Sequence, residues 1–158
     1  REFPYLNAVL DEARQEIILK SYYNIGIAVD TEKGLLIPVI KDCDKKGLLQ
    51  IAKELDEMVR KARAGQLEVI HLQGGTFTLT NVGPIGGLMA TPIVNYPEAA
   101  ILAIMKMAKR PVVKDGQIVA RDMMNLCLSF DHRVLDGADA ARFMSALIKR
   151  LENPTSIL

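Results

Sequence analysis

The sequence predicts an α+β fold, and three observations carry that prediction. Stretches with β-strand character outnumber helical ones. Only two segments show a clean helical stripe, one near the middle and one near the C-terminus. The chain of 158 residues, 49% hydrophobic and 25% charged, is long enough for one core and short for two. At this length a chain buries about 70% of the surface that it exposes when unfolded. Segregated strands and helices then favour α+β over an alternating α/β pattern.

The elements follow in order. Phe3-Pro4-Tyr5-Leu6-Asn7-Ala8 reads as the middle of a domain, with no polar tail before it. The expectation is therefore one domain over residues 1–158 that lacks its N-terminal part. Residues 16–19 and 22–30 read as strands. Tyr23, Ile25, Ile27 and Val29 alternate as a half-buried strand requires. Asp30 to Gly34 is a turn. Leu35 to Ile40 is the next strand, with Pro38 marking an edge or irregular position. Leu48 to Ala64 is the clearest helix. Leu48, Ala52, Leu55, Val59 and Ala62 form its apolar stripe, and Gly65 caps it. Residues 74–81 are β-rich and lead into the glycine-dense loop 83–87. Ala99 to Met107 fits a buried strand or a helix, and periodicity leaves both open. Lys114-Asp115-Gly116 reads as a hairpin turn. Met124, Leu126, Leu128 and Phe130 alternate along a further strand. The last helix begins near Asp136, buries Ala141, Met144, Leu147, Ile148 and Leu151, and stops at Asn153-Pro154.

Composition excludes several classes. Lys+Arg 20 against Asp+Glu 19 leaves a net charge of +1, so no global field holds nucleic acid. No apolar run approaches the ~20 residues of a membrane span. Cys43 and Cys127 stand alone, which suits two reduced thiols and a cytoplasmic chain. Two histidines and two cysteines share no metal-site spacing, so no metal is expected.

His132 is the principal candidate for chemistry. It sits where a strand ends and a helix begins, and an imidazole is a suitable general base near neutral pH. Asp136, four residues on, either orients the site or simply caps the helix, with Gly137 easing the turn. His71 has no ligand-like neighbour and reads as a surface or packing residue. The 83–87 loop lacks G-K-[ST] and reads as a tight turn. Thr78 and Thr80 share one face of a strand. Either hydroxyl could serve a developing oxyanion, and spacing does not choose between them.

These residues resemble a known family. Asp131-His132-Arg133-Val134-Leu135-Asp136-Gly137 is similar to the signature of the dihydrolipoamide acyltransferases, the E2 catalytic cores of 2-oxo acid dehydrogenase complexes. Further segments match in order: 3–8, 24–31, 34–40, 61–65, 74–83, 91–95 and 152–154. The resemblance covers essentially the whole chain. It implies a chloramphenicol acetyltransferase-like, trimer-forming fold, a mixed β-sheet flanked by helices, and a strand at 99–107. It implies acyl transfer between coenzyme A and dihydrolipoamide carried on a separate lipoyl domain. His132 would be the general base, Thr80 the oxyanion donor, and Asp136 a residue that holds the loop. Asn81, Ala90 and Gly137 would contact substrate. Ala90, ten residues after Thr80, is small where acetyl-transferring relatives often carry an aromatic, which favours a branched-chain acyl group. The alternatives are an acetyl-transferring pyruvate dehydrogenase core, an inactive structural core, and a stand-alone O-acyltransferase. The resemblance further implies a homotrimer assembling into a cubic or icosahedral core, with the E1 and E3 enzymes as partners. The mitochondrial matrix is the alternative to cytoplasm. Ile157-Leu158 would lie in a neighbouring trimer or be a disordered end. Ala103 to Met107 departs from the family by replacing a more glycine-rich segment.

Overall fold

The computed structural model describes residues 1–156. The expectation for Ile157-Leu158 lies outside the described residues. A single 3-10 turn, Pro4–Asn7, feeds a hairpin of β1 (Ala8–Asp11) and β2 (Glu16–Leu19). The strand predicted over 22–30 is two strands, β3 (Ile25–Ile27) and β4 (Val29–Thr31). They serve different sheets. β3 enters the main sheet, while β4 turns back on β5 (Gly34–Leu36). The segment 35–40 divides likewise, into β5 and β6 (Val39–Ile40). Pro38 stands at that break. It has no N–H to pair, its ring is fully buried, and its carbonyl accepts from the Ile27 amide at 2.9 Å.

Helix α1 (Leu48–Arg63) follows, with Gly65 in the left-handed region at φ +68° just past its end. Its predicted stripe is rotated. Leu48 and Ala52 are exposed, and the covered face runs through Ile51, Leu55, Met58, Val59 and Ala62. β4 and β6 are the main elements against α1, so this narrow support covers one side of the helix and leaves its first turn exposed.

The remaining strands are β7 (Phe77–Asn81), β8 (Ala100–Ile104), β9 (Ala108–Lys114), β10 (Gln117–Met123) and β11 (Leu126–Phe130). Segment 99–107 therefore resolves as strand over 100–104, four of whose five residues are buried. The five-stranded sheet runs β11-β8-β7-β3-β6. The β8–β7 and β7–β3 pairs are parallel, and the two outer pairs antiparallel. A mixed sheet with buried centre and short edges results. β9 and β10 pair only with each other, turning at Asp115-Gly116, both with positive φ, as a two-residue hairpin loop requires.

Helix α2 (Gly137–Glu152) packs beside β11. Its buried face also differs from the predicted stripe. Ala140 is buried and Phe143 half-buried; of the predicted stripe Met144 and Leu147 are half-buried, whereas Ala141, Ile148 and Leu151 are exposed. The Phe143 ring decides the orientation. It meets Phe3 at 5.6 Å and Phe77 at 6.2 Å, both edge-on. The adjacent core holds Leu6, Ala8, Ala99, Ala100, Val134 and Leu135. That core fixes both ends of the segment carrying His132.

Candidate active site

His132 lies in the turn between β11 and α2. The turn is short because both of its ends are anchored. The Asp131 amide donates to the Ala99 carbonyl at 2.8 Å, and Val134 and Leu135 are buried. Between these anchors, the imidazole is exposed and stacks obliquely on Phe130, with ring centroids 5.8 Å apart. Asp131 does not face His132 as a partner. Its carboxylate accepts from Arg133 through Nε at 3.0 Å and Nη2 at 2.7 Å. Arg133 also donates to Glu12 at 2.9 Å, in the turn between β1 and β2. The Arg133 side chain holds the Asp131 carboxyl below the usual carboxylate range.

Asp136 is the N-cap of α2. Its Oδ1 accepts from the Asp139 amide at 2.9 Å. That bond, chiefly, lowers its pKa, and the nearby His132 adds a smaller push in the same direction. Of the two readings of Asp136, the structure shows the helix cap. Gly137 is the first helical residue and has open space around its Cα.

Strand β7 and the residue before it present the hydroxyls. Thr76 donates to the Asn24 carbonyl at 3.0 Å, and Thr78 donates to Glu98 at 2.6 Å. Both are buried. Thr80 is half-buried, and its hydroxyl has no hydrogen-bond partner among the described residues. Of the two candidates left open by spacing, the structure leaves Thr80 available. Asn81 is exposed, and its side chain accepts from the Gly83 amide at 3.0 Å, bracing the start of the glycine loop. That loop is a tight turn. A Cβ on Gly83 would come within 3.0 Å of the Met105 carbonyl. Ala90 is half-buried, between exposed Met89 and Thr91.

One chain does not bring His132 and Thr80 together. Thr80 pairs with Ala103, which pairs with Cys127 across β8. His132 lies five residues beyond Cys127, past the other end of the sheet. At ~3.3 Å per residue and ~4.8 Å per strand, the two are roughly 15–20 Å apart.

The other sequence candidates are structural. His71 Nδ1 accepts from the Glu68 amide at 3.1 Å, closing a capping box. The Cys43 thiol donates to the Ile40 carbonyl at 3.3 Å, and burial pushes its pKa up, which makes it a poor nucleophile. Among the described residues no group of three His, Cys, Asp or Glu is placed to hold a metal ion. Among the described residues no helix is long and apolar enough to cross a membrane. Sequence reasoning missed Glu98. It is 5% exposed, and the only linear hint was a carboxylate beside the apolar run 99–105.

The fold is shared with chloramphenicol acetyltransferase, at a TM-score of 0.53 and 16% identity over 89% of this chain and 66% of that one. The family is set by closer matches. The chain belongs to the 2-oxoacid dehydrogenases acyltransferase (catalytic domain) family, which it matches over residues 1–158. It is 45% identical, over its full length, to the dihydrolipoyllysine-residue acetyltransferase component of the pyruvate dehydrogenase complex of Bacillus subtilis, covering 36% of that protein. The Staphylococcus aureus counterpart is 46% identical, with 37% covered. The chain thus spans little more than a third of these relatives. Azotobacter vinelandii dihydrolipoamide acetyltransferase superposes at a TM-score of 0.94 with 47% identity, covering 99% of this chain and 64% of that one. The cubic core of the pyruvate dehydrogenase multienzyme complex does so at 0.94 with 46% identity and the same coverage. These relatives correct one expectation. They are acetyl-transferring, and a branched-chain preference finds no support in them. A methylene or two is worth only ~1–3 kcal/mol, too little to fix an acyl class from the size of one residue such as Ala90.

Proposed function

We propose that this chain is the acyltransferase core of a pyruvate dehydrogenase complex, moving acetyl groups between a dihydrolipoyl arm and coenzyme A. The observation that carries the reading is the turn between β11 and α2, which holds an exposed imidazole between two rigid elements. His132 takes the proton from the attacking thiol. The thiolate adds to the thioester carbonyl, and the oxyanion accepts a hydrogen bond from Thr80. Collapse expels the second thiolate, which recovers the proton from the imidazolium. Asp136 keeps the turn in register through its cap. The Azotobacter enzyme was studied for the roles of a serine, a histidine and an asparagine in catalysis. Those three are spaced along its chain as Thr80, His132 and Asp136 are here.

The wide separation of His132 from Thr80 within one chain favours a site between copies, with His132 from one and Thr80 from the next. Trimers assembled into a cubic core, served by E1, E3 and lipoyl domains, suit that arrangement. The free thiols Cys43 and Cys127 suit a reducing compartment such as the cytoplasm. The test is acyl transfer to dihydrolipoamide by the full-length protein, with acetyl-CoA and isobutyryl-CoA as parallel donors. Faster acetyl transfer is expected. Transfer of neither group overturns the enzyme reading, and faster isobutyryl transfer overturns the acetyl assignment.

A further inference from the structure

The acyl-transfer steps leave one buried ionisable side chain unused. Glu98 is 5% exposed, and two glycines make room for it. A Cβ on Gly75 would collide with its Oε1, and one on Gly26 would come within 2.9 Å of Thr78 Oγ1. Each carboxyl oxygen has its own donor. Thr78 Oγ1 donates to Oε2 at 2.6 Å, and Asn95 Nδ2 donates to Oε1 at 3.1 Å. The Glu98 amide donates in turn to the Asn95 carbonyl at 2.9 Å. These donors come from the two segments that matter for chemistry. Thr78 precedes Thr80 by two residues on the same face of β7. Asn95 ends the irregular stretch that carries Ala90.

We propose that Glu98 is a positioning residue for acyl transfer. Its carboxylate ties the strand bearing Thr80 to the segment bearing Ala90, and so sets the oxyanion donor against the acyl pocket. The inference rests on the acyl-transfer reading above. Both partners donate, so the carboxylate satisfies both and a neutral acid cannot do so unless Thr78 turns its hydroxyl round. Burial, working against those two bonds, raises the Glu98 pKa. The carboxyl lines a cavity of about 350 Å3 whose other titratable walls are Lys20, Tyr22 and Tyr96. Lys41 Nζ lies alongside, where a Cβ on Gly74 would reach it at 3.0 Å. None of these four bonds to Glu98 among the described residues, so its charge answers to Thr78 and Asn95.

Glu98→Gln decides the matter in the full-length assembled protein, with acetyl-CoA and dihydrolipoamide as substrates. Glutamine presents an amide donor to one of two donors and so loses one bond at nearly constant volume. The expected result is a fall of about tenfold in kcat with both KM values within about twofold. The acid limb of the kcat profile, to which Glu98 contributes through its raised pKa, becomes shallower. Thr78→Val breaks the same bond from the other side and reproduces the kcat loss, while Thr78→Ser keeps the donor and restores turnover. Thr78→Val decides the case if Glu98→Gln fails to assemble. Wild-type kcat and an unchanged pH profile in the variants overturn the proposal, even if their stability falls. A wild-type protein that transfers no acyl group overturns the acyl-transfer reading itself.

Discussion

The turn that carries His132 and the strand that carries Thr80 are held by opposite means. Around His132 the side-chain hydrogen bonds are exposed: Arg133 bridges Asp131 and Glu12, and Asp136 caps α2. Around Thr80 they are buried: Thr76 bonds Asn24, and Thr78 bonds Glu98. The carboxyls move accordingly, down for Asp131 and Asp136 and up for Glu98. Exposed ion pairs are screened by solvent and add little to a turn whose ends the core already anchors. A buried carboxylate with both oxygens bonded holds its neighbours firmly and is costly to disturb. A proton acceptor gains from access to solvent, whereas an oxyanion donor gains from fixed placement.

The comparison can be broken most sharply at His132. His132→Ala should lower transfer by about 10²–10⁴-fold, the range for a general base, with the melting temperature unchanged because the ring is exposed. A residual rate within tenfold of wild type would remove His132 from the mechanism. Thr80→Ala follows, with about 10²–10³ lost in kcat and assembly intact by light scattering. Thr80→Ser, which keeps the hydroxyl, should lose little. Asp136→Ala should cost about a tenth as much as His132→Ala in rate, or about 10–10³-fold, and should lower the melting temperature through the lost cap. Asp136→Asn keeps a good cap and should recover most of the stability.

A subtler test separates the two regions by pH. A lowered carboxyl adds stability above its unfolded pKa and loses it as pH falls through the folded value. Asp131 and Asp136 behave in that way. Glu98 is the reverse: its folded pKa is raised, so the native state holds the proton longer. Its contribution is greatest below the unfolded pKa and declines as pH rises through the folded one. The stability of wild type relative to Glu98→Gln should therefore decrease as pH rises through and above the ordinary carboxylate range. Urea midpoints at a series of pH values measure this, and a difference that grows with pH would contradict it. The smallest expected effect is at Arg133. Arg133→Lys should lower activity less than twofold at high salt, where its exposed pairs with Asp131 and Glu12 are already screened.

Several elements were legible in the linear order. The α1 span, its glycine cap, the Asp115-Gly116 hairpin and the start of α2 at Asp136 are local features with local causes. The helix faces were less so. Leu48 and Ile148 fall on plausible stripes, but which side of a helix is covered depends on where the sheet ends and on Phe143. The strand predicted over 22–30 broke because Ala28 lies where the chain leaves one sheet for another. At the site, the motif around His132 stands in one continuous run and was read directly. Glu98 was not, because its partners come from β7 and from the segment ending at Asn95.

The sequence alone determined the α+β class, the family resemblance, and His132, Asp136 and Thr80 as the residues to question. Those depend on contiguous motifs and short-range periodicity, which linear order preserves. Tertiary structure alone decided that Thr78 is engaged and Thr80 is not, that Asp136 is a cap, and that a buried carboxylate stands behind the hydroxyl. It also set His132 and Thr80 at opposite ends of one sheet. The physical reason is that pairing and burial are settled between residues far apart in the chain, and strand register, rather than composition, determines which of them meet.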